Sequence, residues 1–213
     1  MNFDLTDDQR AIRDAFARFV DQRVVPQAAA IDEARLFPRE LFAELGALGF
    51  FGLRYPESIG GSGLQLPEFA LALEEIARGS MSLAGAAAMQ SLMGTKFLQL
   101  LGNADIVDRL LKPALKGEKI GAVCMTEPNA GSDLDGIATH ARKVDGGYVL
   151  NGQKTWVTSA PVADFFTVFA KAGEEPGPQA PASPEPPRKG IESSGKATST
   201  RKLTILLVDR SFK

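Results

Sequence analysis

Residues 124–133, with the sequence CMTEPNAGSD, place hydroxyl groups, a carboxylate and a glycine between two apolar runs. The hydroxyls of Thr126 and Ser132 and the backbone amides around Gly131 can all donate hydrogen bonds, and a glycine lets a ligand approach the main chain closely. Donors without neighbouring cations suit a phosphate or the polar edge of a ring. The same residues are also compatible with an ordinary polar turn.

Trp156 and Thr158 are a second set of side chains that could serve a ligand. They stand two residues apart in the β-favouring segment 153–158, and this spacing predicts a strand that presents both on one face. An indole beside a hydroxyl suits a flat cofactor that stacks and forms hydrogen bonds. The alternative is a tryptophan that packs in the core.

The scarcity of histidine and cysteine excludes several kinds of site. With one histidine, His140, and one cysteine, Cys124, the chain can form neither an internal disulfide nor a His/Cys zinc site. Cys124 ends an apolar run and is expected to be buried and inert, which disfavours a Cys–His nucleophile pair. No Gly-x-Ser-x-Gly motif presents a catalytic serine. Hydrolase chemistry therefore has little support.

Charge and hydropathy exclude further classes. The chain has 24 Lys and Arg against 26 Asp and Glu, a formal net charge of −2 and no basic block, so nucleic acid is not an expected partner. No apolar run approaches the roughly 18 residues of a transmembrane helix, and the first residues are too acidic for a targeting segment. We expect a cytoplasmic protein without a membrane span.

The first half of the chain predicts helices. Thr6 and Gln9 form a capping-box pattern, and the helix that follows is expected to end before Pro26. A second helix is expected from Pro38 to Gly49. Apolar periodicity predicts further helices over residues 66–77, 81–101 and 105–115, the last interrupted at Pro113.

The second half predicts strands, because the apolar period changes after about residue 122. The expected strands cover residues 137–144, 148–150, 153–158, 165–170 and 203–208, and turns between them favour a small antiparallel sheet or barrel. Residues 172–202 hold six of the 13 prolines and no aromatic residue, so a disordered insert is expected there. The predicted fold class is α+β, with an all-helical domain at residues 1–122 and a β domain at residues 123–213.

Four segments together resemble the acyl-CoA dehydrogenase family. They are the loop at residues 123–133, the segment NGQKTWVT at 151–158, the loop PESIGG at 56–61 and the opening LTDDQ at 5–9. Apart from the proline-rich insert, the resemblance covers essentially the whole chain. It implies an all-helical N-terminal domain, a middle β-barrel domain that is incomplete here, and FAD bound noncovalently.

The resemblance also implies a set of site residues. Thr126 is similar to a threonine that hydrogen-bonds the pyrimidine side of the flavin, and Gly131 matches a position at a cofactor phosphate. Trp156 is similar to a tryptophan that packs on the isoalloxazine, and Thr158 to a threonine near its reactive nitrogen. Ser132 matches a position that contacts acyl-CoA. The implied cofactor-binding residues are Val123, Met125, Thr126, Gly131, Ser132, Trp156, Val157 and Thr158.

The implied reaction is α,β-dehydrogenation of an acyl-CoA thioester, with an electron-transfer flavoprotein as electron acceptor and a dimer or tetramer as the complete enzyme. In the family, a carboxylate takes the α-proton and a hydride passes to the flavin. In the family, this carboxylate belongs to a glutamate in a C-terminal four-helix domain that has no counterpart in these 213 residues. We therefore assign no catalytic residue, expect little turnover from this chain alone, and expect Glu127 and Glu57 to be structural.

Two other functions remain open at this stage. One is a non-catalytic flavin-binding or acyl-CoA-binding module with the same fold. The other is a flavin-dependent oxidase or monooxygenase. The acyl group itself is not predicted, because the family's specificity depends on a pocket of which only one wall, around residues 81–101, is recognisable.

Overall fold

The computed structural model describes residues 4–173 and 202–210, with helices in the first half and strands in the second. The predicted proline-rich insert therefore lies almost wholly outside the described residues. Two compact units are present. The first comprises Met1–Cys124, Val157–Thr167 and Leu207–Lys213, and the second comprises Met125–Trp156 and Val168–Leu206. No helix among the described residues has the length and apolarity needed to cross a membrane.

The first unit contains the helices, and the predicted capping box opens the first of them. The Thr6 hydroxyl accepts from the Gln9 amide at 3.2 Å, and the Gln9 side chain accepts from the Thr6 amide at 3.1 Å. These bonds satisfy two amides that a helix start leaves unpaired. The helices are α1 (Asp7–Phe19), α2 (Val25–Ala34), α3 (Arg39–Ala47), α4 (Leu66–Gly79), α5 (Met81–Met89), α6 (Lys96–Leu101), α7 (Ala104–Ile106) and α8 (Lys112–Leu115).

The predicted helix end before Pro26 and the predicted interruption at Pro113 are both wrong. A π-helical turn precedes each proline, at Val20–Val24 and at Val107–Leu111, and the helical path continues through it. Each proline then falls in the first turn of the next α-helix, α2 or α8. The π-helical turn widens the helix just before the proline, which makes room for the ring beside the preceding carbonyls and lets the helical path continue.

The core of the first unit is rich in phenylalanine. Phe42 and Phe51 pack with ring centroids 4.5 Å apart, and Phe50 lies against Phe16 and Phe69. Buried rings of this size contribute roughly 2–3 kcal/mol each through the hydrophobic effect. This apolar core holds the helices together around α1 and α4.

A buried glutamine joins the helices to the first strand. The Gln90 side chain, 1% exposed, donates to the carbonyls of Ala114 and Lys119 at 3.2 and 2.8 Å. It also accepts from the Gly121 amide at 2.8 Å. The side chain therefore satisfies three buried backbone groups where strand β1 (Gly121–Cys124) begins.

The strands form a five-stranded sheet, which confirms the predicted order of a helical part followed by a small sheet. The remaining strands are β2 (His140–Val144), β3 (Gly147–Asn151), β4 (Phe165–Ala172) and β5 (Lys202–Asp209). The strand order is β1-β4-β2-β3, with β5 paired to β4. Strands β2 and β3 form the expected antiparallel hairpin, whereas β2 runs parallel to β4, so the sheet is mixed.

The predicted strand at residues 153–158 is not present. The chain from Gly152 to Val157 is irregular, and Trp156 has a left-handed backbone conformation with φ 56°. A left-handed residue breaks the alternation of a strand, so Trp156 and Thr158 do not share a strand face. The Thr155 amide pairs instead with the Thr126 carbonyl, at 2.9 Å.

Candidate functional site

The site is centred on the loop that follows β1, and its carboxylate is buried. The Glu127 side chain, 5% exposed, forms an ion pair with Lys154 at 2.7 Å. It also accepts from the backbone amides of Ala138 at 2.7 Å and Thr139 at 3.0 Å, the two residues that immediately precede β2. The backbone of Glu127 exchanges two further hydrogen bonds with Ala130, which closes the loop.

These contacts keep Glu127 ionised. Burial opposes the charge, but the hydrogen bonds from Lys154 and from the two amides outweigh it, and the pKa of the carboxyl falls from 4.5 to about 2. A carboxylate this acidic, with its oxygens already occupied by donors, is a poor proton acceptor at neutral pH. The structure therefore shows Glu127 as the anchor of the loop.

Two consecutive residues hold the loop against the segment that carries Trp156. The Lys154 ammonium donates to the Met125 carbonyl at 3.0 Å as well as to Glu127. The Thr155 amide donates to the carbonyl of Thr126, which lies between those two acceptors. Lys154 thus holds the residues on both sides of Thr126. The Thr126 carbonyl is itself bonded to Thr155, the residue that precedes Trp156.

The Trp156 side chain is 91% exposed, so the predicted alternative of a core tryptophan is wrong. Left-handed backbone costs a non-glycine residue roughly 1–2 kcal/mol, and an exposed indole forgoes the gain from burial. The surrounding hydrogen bonds nevertheless hold the residue in this conformation. A large exposed aromatic face of this kind is suited to stacking against a flat ligand.

The remainder of the loop is open to solvent. Gly131 and Ser132 are exposed, and a Cβ at Gly131 would meet no atom within 4 Å. Asp133 accepts from the Asp135 amide at 3.0 Å and so begins the short turn that follows. In the part of the chain that the structure describes, the hydroxyls of Thr126 and Ser132 have no protein hydrogen-bond partner. Both remain available to a ligand.

Three of the sequence-predicted residues belong to the first unit. Val123 lies in β1 and is 9% exposed, so its side chain is largely enclosed by the protein. Val157 is half-buried, and Thr158 is exposed in a turn. The other five residues, Met125, Thr126, Gly131, Ser132 and Trp156, belong to the second unit.

The first unit also contains an apolar pocket of about 580 Å³. Its walls come from the end of α2, the chain before α3, two residues of α5 and the turn after Thr158. Charged and hydroxyl groups stand among largely apolar side chains. The lining residues are Ile31, Asp32, Arg35, Leu36, Phe37, Pro38, Ser82, Ala86, Ser159, Pro161 and Val162. Its volume lies in the range of pockets that bind small organic groups.

Lys154 is the residue of this site that the sequence did not predict. Its neighbours Thr155 and Trp156 carried the motif, and a lysine in a short polar segment is usually exposed. One signal could have identified it. Lys154 and Glu127 have opposite charges and lie in two segments that were both expected to approach a ligand, so an ion pair between them could have been predicted.

Comparison with known proteins gives a consistent assignment. Residues 6–118 match the family model described as acyl-CoA dehydrogenase, N-terminal domain, and residues 122–186 match acyl-CoA dehydrogenase, middle domain. The chain is 79% identical over 175 residues to benzylmalonyl-CoA dehydrogenase of Aromatoleum aromaticum, covering 82% of this chain and 46% of that protein. It is 39% identical over 168 residues to 3-(aryl)acrylate reductase of Clostridium sporogenes, covering 78% of this chain and 44% of that protein.

A solved structure agrees with these relationships. The structure described as the FAD complex of PigA superposes with a TM-score of 0.81 at 26% identity, covering 99% of this chain and 50% of that one. The chain spans about half the length of the proteins it matches. With two family models matched in order and the predicted helix-then-sheet fold observed, the chain belongs to the acyl-CoA dehydrogenase family.

Proposed function

We propose that this chain carries the flavin-lining part of an FAD-dependent acyl-CoA dehydrogenase that acts on acyl-CoA thioesters. The observation that carries the proposal is the exposed Trp156, held in left-handed backbone next to the hydrogen bond between Thr155 and Thr126. This arrangement fits a flat ring with a polar edge, because it offers an aromatic face and an available hydroxyl. The relationship to the FAD complex of PigA supports the identity of that ring.

Each predicted residue then has a defined task. The Trp156 indole stacks on the ring, and the Thr126 hydroxyl bonds its pyrimidine edge. Gly131 leaves room for a phosphate to approach the main chain, and the exposed Ser132 faces the thioester substrate. Bound FAD supplies the acceptor for the substrate hydride. The proposal also includes Val123, Met125, Val157 and Thr158 among the cofactor-binding residues, on the family resemblance alone.

The group that removes the α-proton is left unassigned. Glu127 is unsuitable, since its carboxylate is enclosed by three donors and its pKa is about 2. We therefore expect the 213-residue polypeptide to bind the cofactor but to show little dehydrogenase turnover by itself. An electron-transfer flavoprotein as acceptor, a dimer or tetramer as the complete enzyme and a cytoplasmic location remain predictions from the family resemblance.

The names of two relatives suggest a substrate class narrower than acyl-CoA in general. The 79% identical relative is a benzylmalonyl-CoA dehydrogenase, and the name of the second relative also refers to an aryl compound. We infer an acyl-CoA whose acyl group carries an aromatic ring. The half-open pocket of the first unit, with a volume of about 580 Å³ and mainly apolar walls, is the place where we propose to test for such a ring.

The test of flavin binding uses the fact that Trp156 is the only tryptophan. FAD added to the purified chain is expected to quench the tryptophan emission in a saturable manner, because a stacked flavin lies against the indole. The flavin absorbance should also stay with the protein through gel filtration. A Trp156→Ala variant should bind FAD at least tenfold more weakly.

Tyr148 provides the matched control, since it is an exposed aromatic residue on β3 in the same unit. Tyr148→Ala should leave FAD affinity unchanged within about twofold. A folded wild-type chain that neither retains flavin nor shows quenching would refute the proposed function. Retention of flavin with equal affinity by the Trp156→Ala variant would refute the role given to the indole.

A further inference from the structure

We propose that Lys154 is a positioning residue, which sets the register between the loop that bears Thr126 and the segment that bears Trp156. The inference rests on the proposed flavin site, because it identifies the residue that holds two side chains of that site in place. All of the groups involved lie in the second unit.

Three hydrogen bonds join consecutive residues of the two segments. The Lys154 ammonium donates to the Met125 carbonyl at 3.0 Å and to the Glu127 carboxylate at 2.7 Å. The Thr155 amide donates to the Thr126 carbonyl at 2.9 Å. Apart from the isolated bridge between Glu127 and Ala130, neither segment belongs to a strand, so no sheet ladder sets their register. The three bonds perform that task.

The register is also anchored to the sheet. Glu127 accepts from Ala138 and from Thr139, which immediately precede β2. The lysine therefore connects the segment before Trp156, through the glutamate, to the start of a strand. A shift of one residue between the segments would break the bonds to Lys154 and Thr155 together.

A lysine is chemically suited to this position. Its ammonium carries three protons, so it can serve a carbonyl and a carboxylate at the same time. The Lys154 side chain is 11% exposed, so the two acceptors replace most of its hydration. A neutral side chain of similar length would leave the Glu127 carboxylate buried without a counter-ion and the Met125 carbonyl without its donor.

The first measurement needs no cofactor. Amide hydrogen exchange of the full 213-residue chain reports directly on the Thr155 amide, which makes the central bond of the register. In Lys154→Met we expect that amide to exchange at least tenfold faster than in wild type. The amides of the β2–β3 hairpin in the same spectra should keep their protection and serve as the internal control for folding.

The second measurement is FAD affinity. Lys154→Met is expected to weaken FAD binding at least tenfold, because Thr126 and Trp156 no longer keep a fixed spacing. Glu127→Gln should have a smaller effect of a few-fold, since the amide oxygen can still accept hydrogen bonds and Lys154 still reaches Met125. Lys171→Met is the matched control. It removes an ammonium that donates to the Asp135 carbonyl at 2.6 Å in the same unit, and it should stay within twofold of wild type.

The outcomes separate this inference from the proposed function. If Lys154→Met keeps both the Thr155 exchange rate and the FAD affinity within twofold of wild type, Lys154 does not set the register. If the Lys154→Met variant loses protection of the hairpin amides, it is not folded correctly, and the Glu127→Gln variant provides the test instead. If Glu127→Gln is folded and both its Thr155 exchange rate and its FAD affinity equal those of wild type, the inference is overturned. If wild type binds no FAD, the proposed function fails, whereas the exchange measurement still tests the register.

Discussion

The buried carboxylate of Glu127 makes a quantitative prediction about stability and pH. Its pKa falls from 4.5 to about 2 on folding, a difference of about 2.5 units. At ~1.4 kcal/mol per unit, the ionised group stabilises the folded state by up to about 3 kcal/mol. Because the folded-state pKa is the lower one, this contribution is complete above about pH 5. It is about halved near pH 3 and almost lost at pH 2.

Replacing Glu127 with glutamine removes the titrating group, so the stability difference from wild type should itself depend on pH. We expect wild type to be more stable by up to about 3 kcal/mol at pH 7, with the difference shrinking by about half at pH 3. The pKa values of Glu44 and Glu68 are also lowered by hydrogen bonds, from Arg23 and Gln9 respectively. These two groups are present in both proteins, so they cancel in the difference.

Urea unfolding at several pH values, followed by NMR signals from β2 and β3, reports on the unit that contains Glu127. Tryptophan fluorescence is less suitable, since Trp156 is already 91% exposed in the folded protein. Glu118→Gln, at an exposed position, is the control for the substitution itself and should leave the stability at pH 7 unchanged within about 0.5 kcal/mol. A difference between wild type and Glu127→Gln that stays constant within about 0.5 kcal/mol from pH 7 to pH 3 would show that the carboxylate is not held as described.

Three further predictions address packing and the pocket. Gln90→Ala leaves buried backbone groups unpaired and should cost about 2–4 kcal/mol, seen as a lower thermal midpoint. Gln27→Ala, which removes only a solvent-exposed hydrogen bond to the Arg23 carbonyl, should not lower the midpoint. Gly152→Ala should lower the free energy of unfolding in urea by about 2 kcal/mol or more, because the new Cβ would collide with Thr139. Gly147→Ala is the control, since its Cβ would meet no neighbour, and equal stabilities of the two variants would contradict the prediction. Ala86→Phe narrows the pocket and should weaken binding of an aryl acyl-CoA more than binding of butyryl-CoA, as measured by calorimetry. Ala104→Phe, at an exposed position, should weaken neither. Equal losses of affinity for the two ligands in Ala86→Phe would show that the pocket does not hold the aryl group.

Features encoded by local patterns were predicted correctly from the sequence. The Thr6 capping box depends on residues three positions apart, and the β2–β3 hairpin depends on a glycine turn between alternating runs. The continuation of the helical path through Pro26 and Pro113 was not predicted. It depends on π-helical turns, and local pattern rules treat an interior proline as a helix end.

The candidate site was predictable only in part, for a related reason. Thr126, Gly131, Ser132 and Trp156 could be named from their chemistry and from the family resemblance. The conformation of residues 153–158 could not, because β-favouring residues there are overridden by tertiary hydrogen bonds. Lys154 was missed because its partners stand 27 and 29 residues earlier in the chain. Contacts of that range are set by the fold.

The hydrogen bonds around Glu127 indicate that this residue has a structural role in the site and is not the proton acceptor. A proton-abstracting carboxylate must be accessible to the substrate and must have a free lone pair when the substrate arrives. Glu127 fits this role poorly, since its side chain is 5% exposed and both of its oxygens already accept hydrogen bonds, from Lys154, Ala138 and Thr139. The same bonds that make it a poor base allow it to hold the loop, because an ionised carboxylate bonded to three donors fixes the backbone while the other polar groups of the loop stay available. The hydroxyls of Thr126 and Ser132 therefore stay available to the proposed flavin and thioester while Glu127 holds the loop.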